Sequence, residues 1–284
     1  SVSKDEMQEV MNYRSALYFA LGKMSTISDD SEEGRHKLPL SARLIKEMHK
    51  ILLDNVRGQN KSPGEFKTEQ NYIGNSAEIT FTPLSPELTQ DYMANFEQYI
   101  HFDEVDLLVQ AALIHCQFEM IHPFKDGNGR IGRLLIPLFL YYREMLPVPT
   151  FYMSAYFEKD RTMYLEKLSA VSQKNDYATW IKYFLEGVIQ QAEINTLKAK
   201  ALLDRYNEFK DICISGMSSK YAIPLLDEIF QRPAFKAKQI QEVIPGSKGT
   251  LYNMLDEFVA RGILRKDDKA RNATYFCPAI LSII

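Results

Sequence analysis

A loop rich in Gly and Asn between two apolar segments is the feature that most constrains the fold of this chain. Residues 131–142, after the loop, are almost wholly apolar and are predicted to form a buried helix. The segment before the loop has apolar residues at helical spacing and predicts another: Val105, Leu108, Val109, Ala112, Leu113 and Cys116. Glycine and asparagine tolerate positive φ, which lets backbone N–H groups converge where the second helix begins. The sequence therefore predicts an anion site at a helix N-terminus.

Two arginines in the first turn of the second predicted helix favour a phosphate ligand. Arg130 and Arg133 are three residues apart and therefore lie on one face of that helix. Cations at the positive end of a helix are mildly unfavourable for folding. A bound polyphosphate chain would explain both of them.

Three further residues make this anion site a candidate active site. His122 comes just before the loop, and a neutral imidazole can accept a proton near pH 7. Asp126 lies beside the predicted phosphates and suits Mg²⁺, which is held by one or two carboxylates together with phosphate oxygens. Phe124 stands between polar neighbours and is predicted to anchor the loop in the core.

The same stretch resembles the signature of the Fic (Fic/Doc) family, His-Pro-Phe-x-Asp-Gly-Asn-Gly-Arg-x-x-Arg, and residues 122–133 match all of its fixed positions. Fic proteins are helical enzymes, and most members with this motif transfer AMP from ATP to a protein hydroxyl. The resemblance implies that His122 is the catalytic base and that Asp126 binds Mg²⁺. It also implies that the ATP phosphates are bound by Gly127, Asn128, Gly129, Arg130 and Arg133.

Residues 58–83 break helical periodicity and are predicted to form a small β-hairpin around Gly74-Asn75. This region resembles the Fic pattern Gly-x-Phe-[Arg/Lys]-Thr-x-Gln-x-x-Ile-Gly at residues 64–74. In the family the hairpin, called the flap, holds a segment of the target protein by strand addition. The resemblance implies that Ile73 and Gly74 dock the target, whereas a hairpin that only covers the core remains the alternative.

A further resemblance concerns the adenine pocket. Relatives share Tyr-x-Ser-x-Tyr-Phe, then Arg-x-x-Tyr, which this chain has at residues 152–157 and 161–164. The resemblance implies that Tyr164 lines the adenine pocket, and an ordinary core position for Tyr164 is an equal alternative. The other helices of this part are predicted from apolar periodicity at 5–22, 41–53 with Ser41 as N-cap, 86–100, 159–173 and 178–203.

The C-terminal part, from about Tyr221, predicts a winged helix-turn-helix module. Three short helices are expected at 223–230, 235–243 and 247–260, followed by a two-stranded wing. Residues 220–284 hold ten basic and seven acidic residues, so docking or homodimer formation is favoured over DNA binding. The predicted fold class is mainly α: a Fic-type helical bundle with a small β-hairpin flap, plus this winged domain. The predicted domains are 1–58, 59–205 and 206–284.

Composition narrows the class of protein. The formal net charge of −3 gives no general attraction to nucleic acid or membrane. The longest apolar run, 134–142, is far shorter than the ~20 residues that span a bilayer. The three cysteines are scattered, which favours neither disulfides nor zinc and indicates a reducing, cytoplasmic location.

The chain is accordingly predicted to be a protein adenylyltransferase that moves AMP from ATP to a Tyr, Ser or Thr hydroxyl of a target protein, which includes itself, with Mg²⁺ as cofactor. One alternative is a Fic enzyme that transfers another phosphate-containing group. The other is a DNA-binding regulator with a vestigial Fic core, which the intact His122 and Asp126 disfavour.

Many Fic proteins carry an inhibitory helix, [Ser/Thr]-x-x-x-Glu-[Gly/Asn], whose Glu pairs with the second arginine of the motif. Glu33-Gly34 has Asp29 four residues before the Glu, and the segment 28–35 has no apolar stripe. We therefore expect that Glu33 is not inhibitory, that Arg133 is free for ATP, and that the chain is a shortened form or has lost the segment.

Overall fold

The computed structural model of the chain describes residues 4–25, 38–56, 61–74, 79–241, 244, 247–267 and 273–284. The chain divides into two compact units, Ser1–Ala192 and Glu193–Ile284. The fold is mainly helical, as predicted.

The first unit is a helical bundle with one small antiparallel strand pair. Its elements in chain order are α1 (Lys4–Ser25), α2 (Ala42–Leu52), β1 (Ile73–Gly74), β2 (Ile79–Phe81), α3 (Pro86–Ile100), α4 (Leu107–Ile121), α5 (Asn128–Tyr142), α6 (Ser154–Lys159) and α7 (Arg161–Lys174). The pairing of β1 with β2 confirms the predicted hairpin strands, whereas the turn at 75–78 lies outside the described residues.

The apolar core of this unit lies around α4 and α5, which pack against each other, while α1 packs on both α2 and α5. The N-cap of α2 is Ser41, whose hydroxyl oxygen accepts from the N–H of Leu44 at 3.3 Å, as predicted. One predicted core position is wrong, because Val105 is fully exposed. The side chain of Asp106 caps α4, so the helix begins at Leu107 and does not include Val105.

The loop between α4 and α5 is anchored by Phe124, which is fully buried as predicted. Its ring stacks on that of His49 with the centroids 3.8 Å apart and the planes 8° from parallel. The N–H of Gly64 donates to Nδ1 of His49 at 2.9 Å, so Nε2 carries the proton and donates to the carbonyl of Asp126 at 2.9 Å. One buried histidine thus ties the loop to α2 and to the segment before the hairpin.

The helix α8 (Tyr177–Gly216) begins in the first unit and continues into the second. The prediction ended this helix at residue 203, which is too early. Apolar side chains continue at helical spacing beyond that point, and Phe209 and Cys213 are buried in the second unit. The predicted domain boundary at 205/206 falls inside α8 and stays a prediction.

The second unit has a core of its own and a three-stranded antiparallel sheet of order β3-β5-β4. Besides the end of α8, its elements are α9 (Ala222–Gln231), β3 (Ala234–Lys236), α10 (Ala237–Gln241), α11 (Lys248–Ala260), β4 (Arg265–Asp267), β5 (Thr274–Phe276) and α12 (Pro278–Leu281). Ser247 caps α11 as predicted.

One predicted helix of the second unit begins with a strand instead. Phe235 lies in β3, opposite Tyr275 of β5, and the two rings stack at 5.9 Å. Pairing with a strand some forty residues away overrides the local helical pattern. The antiparallel pair of β4 and β5 lies where the wing was predicted, and the winged-helix class of this unit stays a prediction. Within the described part of the chain, no helix combines the length and the apolar character needed to span a membrane.

Replacing Phe124 with Ala tests the anchor of the loop. We expect the free energy of unfolding of the first unit to fall by about 3–5 kcal/mol, as for other fully buried phenylalanines. Urea denaturation followed by the fluorescence of Trp180, the single tryptophan of the chain, measures it, because Trp180 is buried in the first unit. The control is Phe102→Ala, since Phe102 is 56% exposed. Equal losses in the two variants would contradict the anchoring role.

Candidate active site

The predicted base, His122, is the residue at which α4 ends. Its backbone is left-handed, with φ 49° and ψ 61°, and its N–H donates to the carbonyl of Phe118 at 2.9 Å. This conformation is uncommon for a residue with a side chain. It turns the chain sharply out of the helix and leaves the imidazole at the start of the loop.

Two residues before the hairpin hold that turn in place. The backbone N–H of Lys67 donates to the carbonyl of Pro123 at 2.7 Å, and Lys67 Nζ donates to the carbonyl of Ile121 at 3.1 Å. The amide of Asn71 donates to the carbonyls of His122 at 3.2 Å and Phe124 at 2.9 Å. We call Lys67 and Asn71 the loop clamp. Sequence reasoning gave them no role, although both stand within the segment that resembles the family's flap pattern.

The environment of His122 keeps its imidazole neutral. Burial, with a smaller contribution from the cation of Lys67, lowers the pKa of His122 to about 4. The carbonyl of Glu119 and the carboxylate of Asp126 act in the opposite direction but do not restore the ordinary pKa. A neutral imidazole at pH 7 can accept a proton, as a general base must.

The first turn of α5 presents backbone N–H groups that have no acceptor within the helix. Gly127 takes φ 78° at the N-cap, and its own N–H donates to Oδ1 of Asp126 at 2.6 Å. The side chain of Asn128 is buried, accepting from the N–H of Phe124 at 2.8 Å and donating to its carbonyl at 2.6 Å. Asn128 and Gly129 therefore have only their backbone N–H groups to offer a phosphate, whereas the N–H of Gly127 is bonded to Asp126.

The two arginines of the motif differ in their surroundings. Arg130 Nη1 lies 3.2 Å from Oε2 of Glu9 on α1, and its Nη2 lies 3.9 Å from Oδ1 of Asp126. Arg133 has no ion pair within 4.0 Å among the described residues. Glu33 lies outside those residues, so the expectation about the inhibitory segment stays a prediction.

A cavity of about 620 Å³ brings several predicted site residues together. His122, Gly129, Arg133 and Tyr164 line it, and Ile73 of the hairpin lines it as well. The other loop residues are not among the described residues that line this cavity: Asp126, Gly127, Asn128 and Arg130. Its volume is in the range of small-molecule sites.

Tyr164 is both buried and part of the cavity wall, and its role in an adenine pocket stays a prediction. It is buried, and its hydroxyl lies 3.0 Å from Nε2 of the buried His115, whose Nδ1 lies 3.0 Å from the carbonyl of Gly132. Burial raises the pKa of Tyr164 well above its ordinary value. The same side chain lines the cavity, so a place in the core does not exclude contact with a ligand.

Glu119 is a cavity residue that sequence reasoning missed. It lies on α4 and lines the cavity beside His122 and Arg133. Burial raises the pKa of its carboxyl to about 7, against the lowering effect of Arg133. Its position as the single acidic residue of a largely apolar helix is the sequence signal that could have identified it.

The residues near Asp126 fit a Mg²⁺ ion that arrives with phosphate. Both contacts of the Asp126 carboxylate use Oδ1, and its side chain is 42% exposed. Among the described residues, no group of three or more His, Cys, Asp and Glu could hold a metal by itself. One accessible carboxylate suits Mg²⁺ when phosphate oxygens of a ligand complete the coordination.

The raised pKa of Glu119 predicts a pH-dependent stability. The folded pKa of about 7 exceeds the ordinary 4.5, so the folded state binds more protons between these values. Stability is therefore lost as pH rises from about 4.5 to 7, by roughly 3 kcal/mol. Glu119→Gln should remove this loss, so the variant gains stability relative to the parent between pH 5 and pH 8 in urea denaturation. A pH-independent difference, like that expected for the exposed Glu193→Gln, would contradict the shift.

Comparison with known proteins finds a family match for part of the chain. Residues 39–140 match the Fic/DOC family. Protein adenylyltransferase fic-1 of Caenorhabditis elegans is 31% identical over 146 residues, which are 50% of this chain and 26% of that protein. The chain thus spans about a quarter of the length of this curated relative.

Two solved structures share the fold. A Fic domain containing signaling protein from Bacteroides thetaiotaomicron aligns with a TM-score of 0.53 at 23% identity, over 68% of this chain and 72% of that one. A Fic family protein from Desulfovibrio desulfuricans G20 aligns with a TM-score of 0.58 at 16% identity, over 98% of this chain and 76% of that one. The complete loop motif, residues 122–133, lies inside the segment of this chain that matches the Fic/DOC family, residues 39–140.

Proposed function

We propose that this protein is an adenylyltransferase that transfers AMP from ATP to a hydroxyl group of a protein. The observation that carries the proposal is the neutral, partly buried His122 on a cavity that Arg133 and Gly129, in the first turn of α5, also line. A base, a cation and free backbone N–H groups are what transfer of a phosphate-containing group requires. The name of the relative from Caenorhabditis elegans, a protein adenylyltransferase, supports the same activity.

In the proposed reaction the hydroxyl oxygen of a Tyr, Ser or Thr attacks the α-phosphorus of ATP while its proton passes to His122. The bond between the α-phosphorus and the oxygen that bridges to the β-phosphorus breaks, and pyrophosphate leaves. Backbone N–H groups of residues 127–129 hold the phosphates, and Arg130 and Arg133 offset their charge. Asp126, together with phosphate oxygens, would hold Mg²⁺, which would supply positive charge to offset that of the pyrophosphate.

The hairpin is proposed to dock the target protein. Ile73 of β1 lines the cavity, and β1 is a short strand of a two-stranded sheet. Addition of a target strand through Ile73 and Gly74 would align a hydroxyl with little dependence on target sequence. The second unit is proposed to be a winged-helix docking or dimerisation domain. The three cysteines are buried free thiols, which suits a reducing, cytoplasmic location.

Labelling with ATP separates this proposal from its alternatives. With α-³²P-ATP, Mg²⁺ and a cell lysate, AMP transfer labels the chain or a target protein. Label from γ-³²P-ATP instead would indicate phosphate transfer. No label from either nucleotide, together with retention of genomic DNA fragments in a shift assay, would favour a regulator with a vestigial Fic domain.

His122→Ala and Arg133→Ala test the division of roles. His122→Ala should reduce AMP transfer by roughly 10²–10⁴-fold, because the base is lost, and should leave ATP affinity unchanged. Arg133→Ala should weaken ATP binding, measured by isothermal titration calorimetry. The control is His101→Ala, since His101 is exposed. Equal losses of ATP affinity in the His122 and Arg133 variants would contradict these assignments.

Glu9→Gln tests the ion pair at Arg130. Its carboxylate lies 3.2 Å from the guanidinium that is proposed to meet the phosphates, so the two anions compete. Because the pair is partly exposed, the gain in ATP affinity should be at most about fivefold. Glu47→Gln, which removes the partner of Arg43, is the control. Weaker ATP binding by the Glu9 variant would show that Glu9 positions Arg130 rather than competing for it.

A further inference from the structure

A buried carboxyl group beside His122 has no part in the reaction proposed above. The side chain of Glu119 is 9% exposed and lies in the last turn of α4, one turn before His122. Its Oε1 is buried and has no hydrogen-bond partner among the described residues. Burying an ionisable group without such a partner costs free energy. Folding alone therefore does not explain a glutamate at this position.

The helix that faces Glu119 leaves space for the carboxyl group. A Cβ at Gly132 of α5 would overlap with Oε1 of Glu119, and a Cβ at Gly129 would lie 3.9 Å from the same atom. Glycine within a helix is itself unfavourable. Two features that both oppose stability, a buried carboxyl and a helical glycine, thus lie directly against each other.

The imidazole of His122 is the candidate hydrogen-bond partner of the Glu119 carboxyl group. Its Nδ1 is buried without a hydrogen bond to any described residue, and it lies 3.7 Å from Oε2 of Glu119. This distance is too long for a hydrogen bond. Hydrogen bonds of catalytic groups are often long until the substrate binds.

Two other groups are candidate partners, one for the Glu119 carboxyl and one for Nδ1 of His122. Arg133 lies close enough to influence the Glu119 carboxyl but forms no ion pair with it within 4.0 Å. The main-chain carbonyl of Glu119 also acts on the imidazole of His122. Substitution of the Glu119 side chain leaves that carbonyl in place, so experiment can separate the two acceptors.

We propose that Glu119 is a positioning residue for His122: its carboxylate accepts the Nδ1–H, so that the lone pair of Nε2 faces the cavity and takes the proton of the acceptor hydroxyl. The carboxylate also stabilises the imidazolium that forms when the proton has moved to Nε2. An orienting carboxylate behind a histidine base has this effect in hydrolases. The inference rests on the proposed function, because that function makes His122 the base.

The tautomer of His122 can be measured without activity. The full chain is labelled with ¹⁵N-histidine, and the ring nitrogens are observed by NMR at pH 8, with His122→Ala identifying the signal among five histidines. We expect protonated Nδ1 and unprotonated Nε2 in the parent chain. Glu119→Met, which removes the acceptor but keeps the volume, should shift the proton to Nε2. Glu193→Gln, on an exposed residue, should change nothing.

Kinetics of AMP transfer provide the second measurement. Glu119→Gln keeps an acceptor but removes the charge, and kcat should fall on the order of tenfold. Glu119→Met removes both, and kcat should fall further, toward the loss seen without the base. KM for ATP should stay within about twofold in both variants, and neither melting temperature should fall, because an unpaired buried carboxyl is removed.

The outcomes separate this inference from the proposed function. Unchanged kcat and an unchanged tautomer in both Glu119 variants, with AMP transfer intact in the parent, overturn the positioning role alone. A raised KM for ATP with an unchanged tautomer also overturns it, and assigns Glu119 to Arg133. A shifted tautomer in a chain whose parent form transfers no AMP supports the positioning role and overturns the proposed function.

Discussion

The stacking of Phe124 on His49 is the interaction on which the rest of the site depends. It fixes the middle of the loop to α2, while the ring nitrogens of His49 bind the N–H of Gly64 and the carbonyl of Asp126. Asn128 closes the loop from the other side through two hydrogen bonds to the backbone of Phe124. With both ends fixed, the left-handed backbone of His122 is held by its surroundings, and the N–H groups of α5 stay open to a ligand.

Burial shifts the pKa values of His122 and Glu119 away from their ordinary values, in each case toward the neutral form. It lowers the pKa of His122 to about 4 and raises that of Glu119 to about 7, so a neutral base lies beside a weak acid. The cation of Lys67 lowers the pKa of His122, as burial does, whereas the cation of Arg133 lowers the pKa of Glu119 and so opposes the effect of burial. The arrangement reduces stability, as is common where residues are selected for reactivity.

The two arginines of the motif are equivalent in the sequence but not in the fold. Arg130 faces α1, where Glu9 already pairs with it, whereas Arg133 lines the cavity with His122. Three residues along a helix separate them by about 300°, that is, by some 60° around the axis. This small rotation decides that one meets a neighbouring helix and the other the cavity. An anionic ligand would therefore meet Arg133 without an ion pair, whereas it would have to compete with Glu9 for Arg130.

The sequence by itself determined what depends on local pattern: the mainly helical fold, the two core helices around the loop, the hairpin strands, the caps at Ser41 and Ser247, and the anchoring role of Phe124. Only the tertiary structure decided what depends on residues far apart in the chain. The start of α4 after Val105 is not such a case, because the cap at Asp106 is local, but the pairing that places Phe235 in a strand is. The tertiary structure also brought forward residues to which the sequence gave no role: His49, Lys67, Asn71 and Glu119. Periodicity and caps are encoded within a few residues, whereas these contacts form only when the helices pack and remove the groups from water.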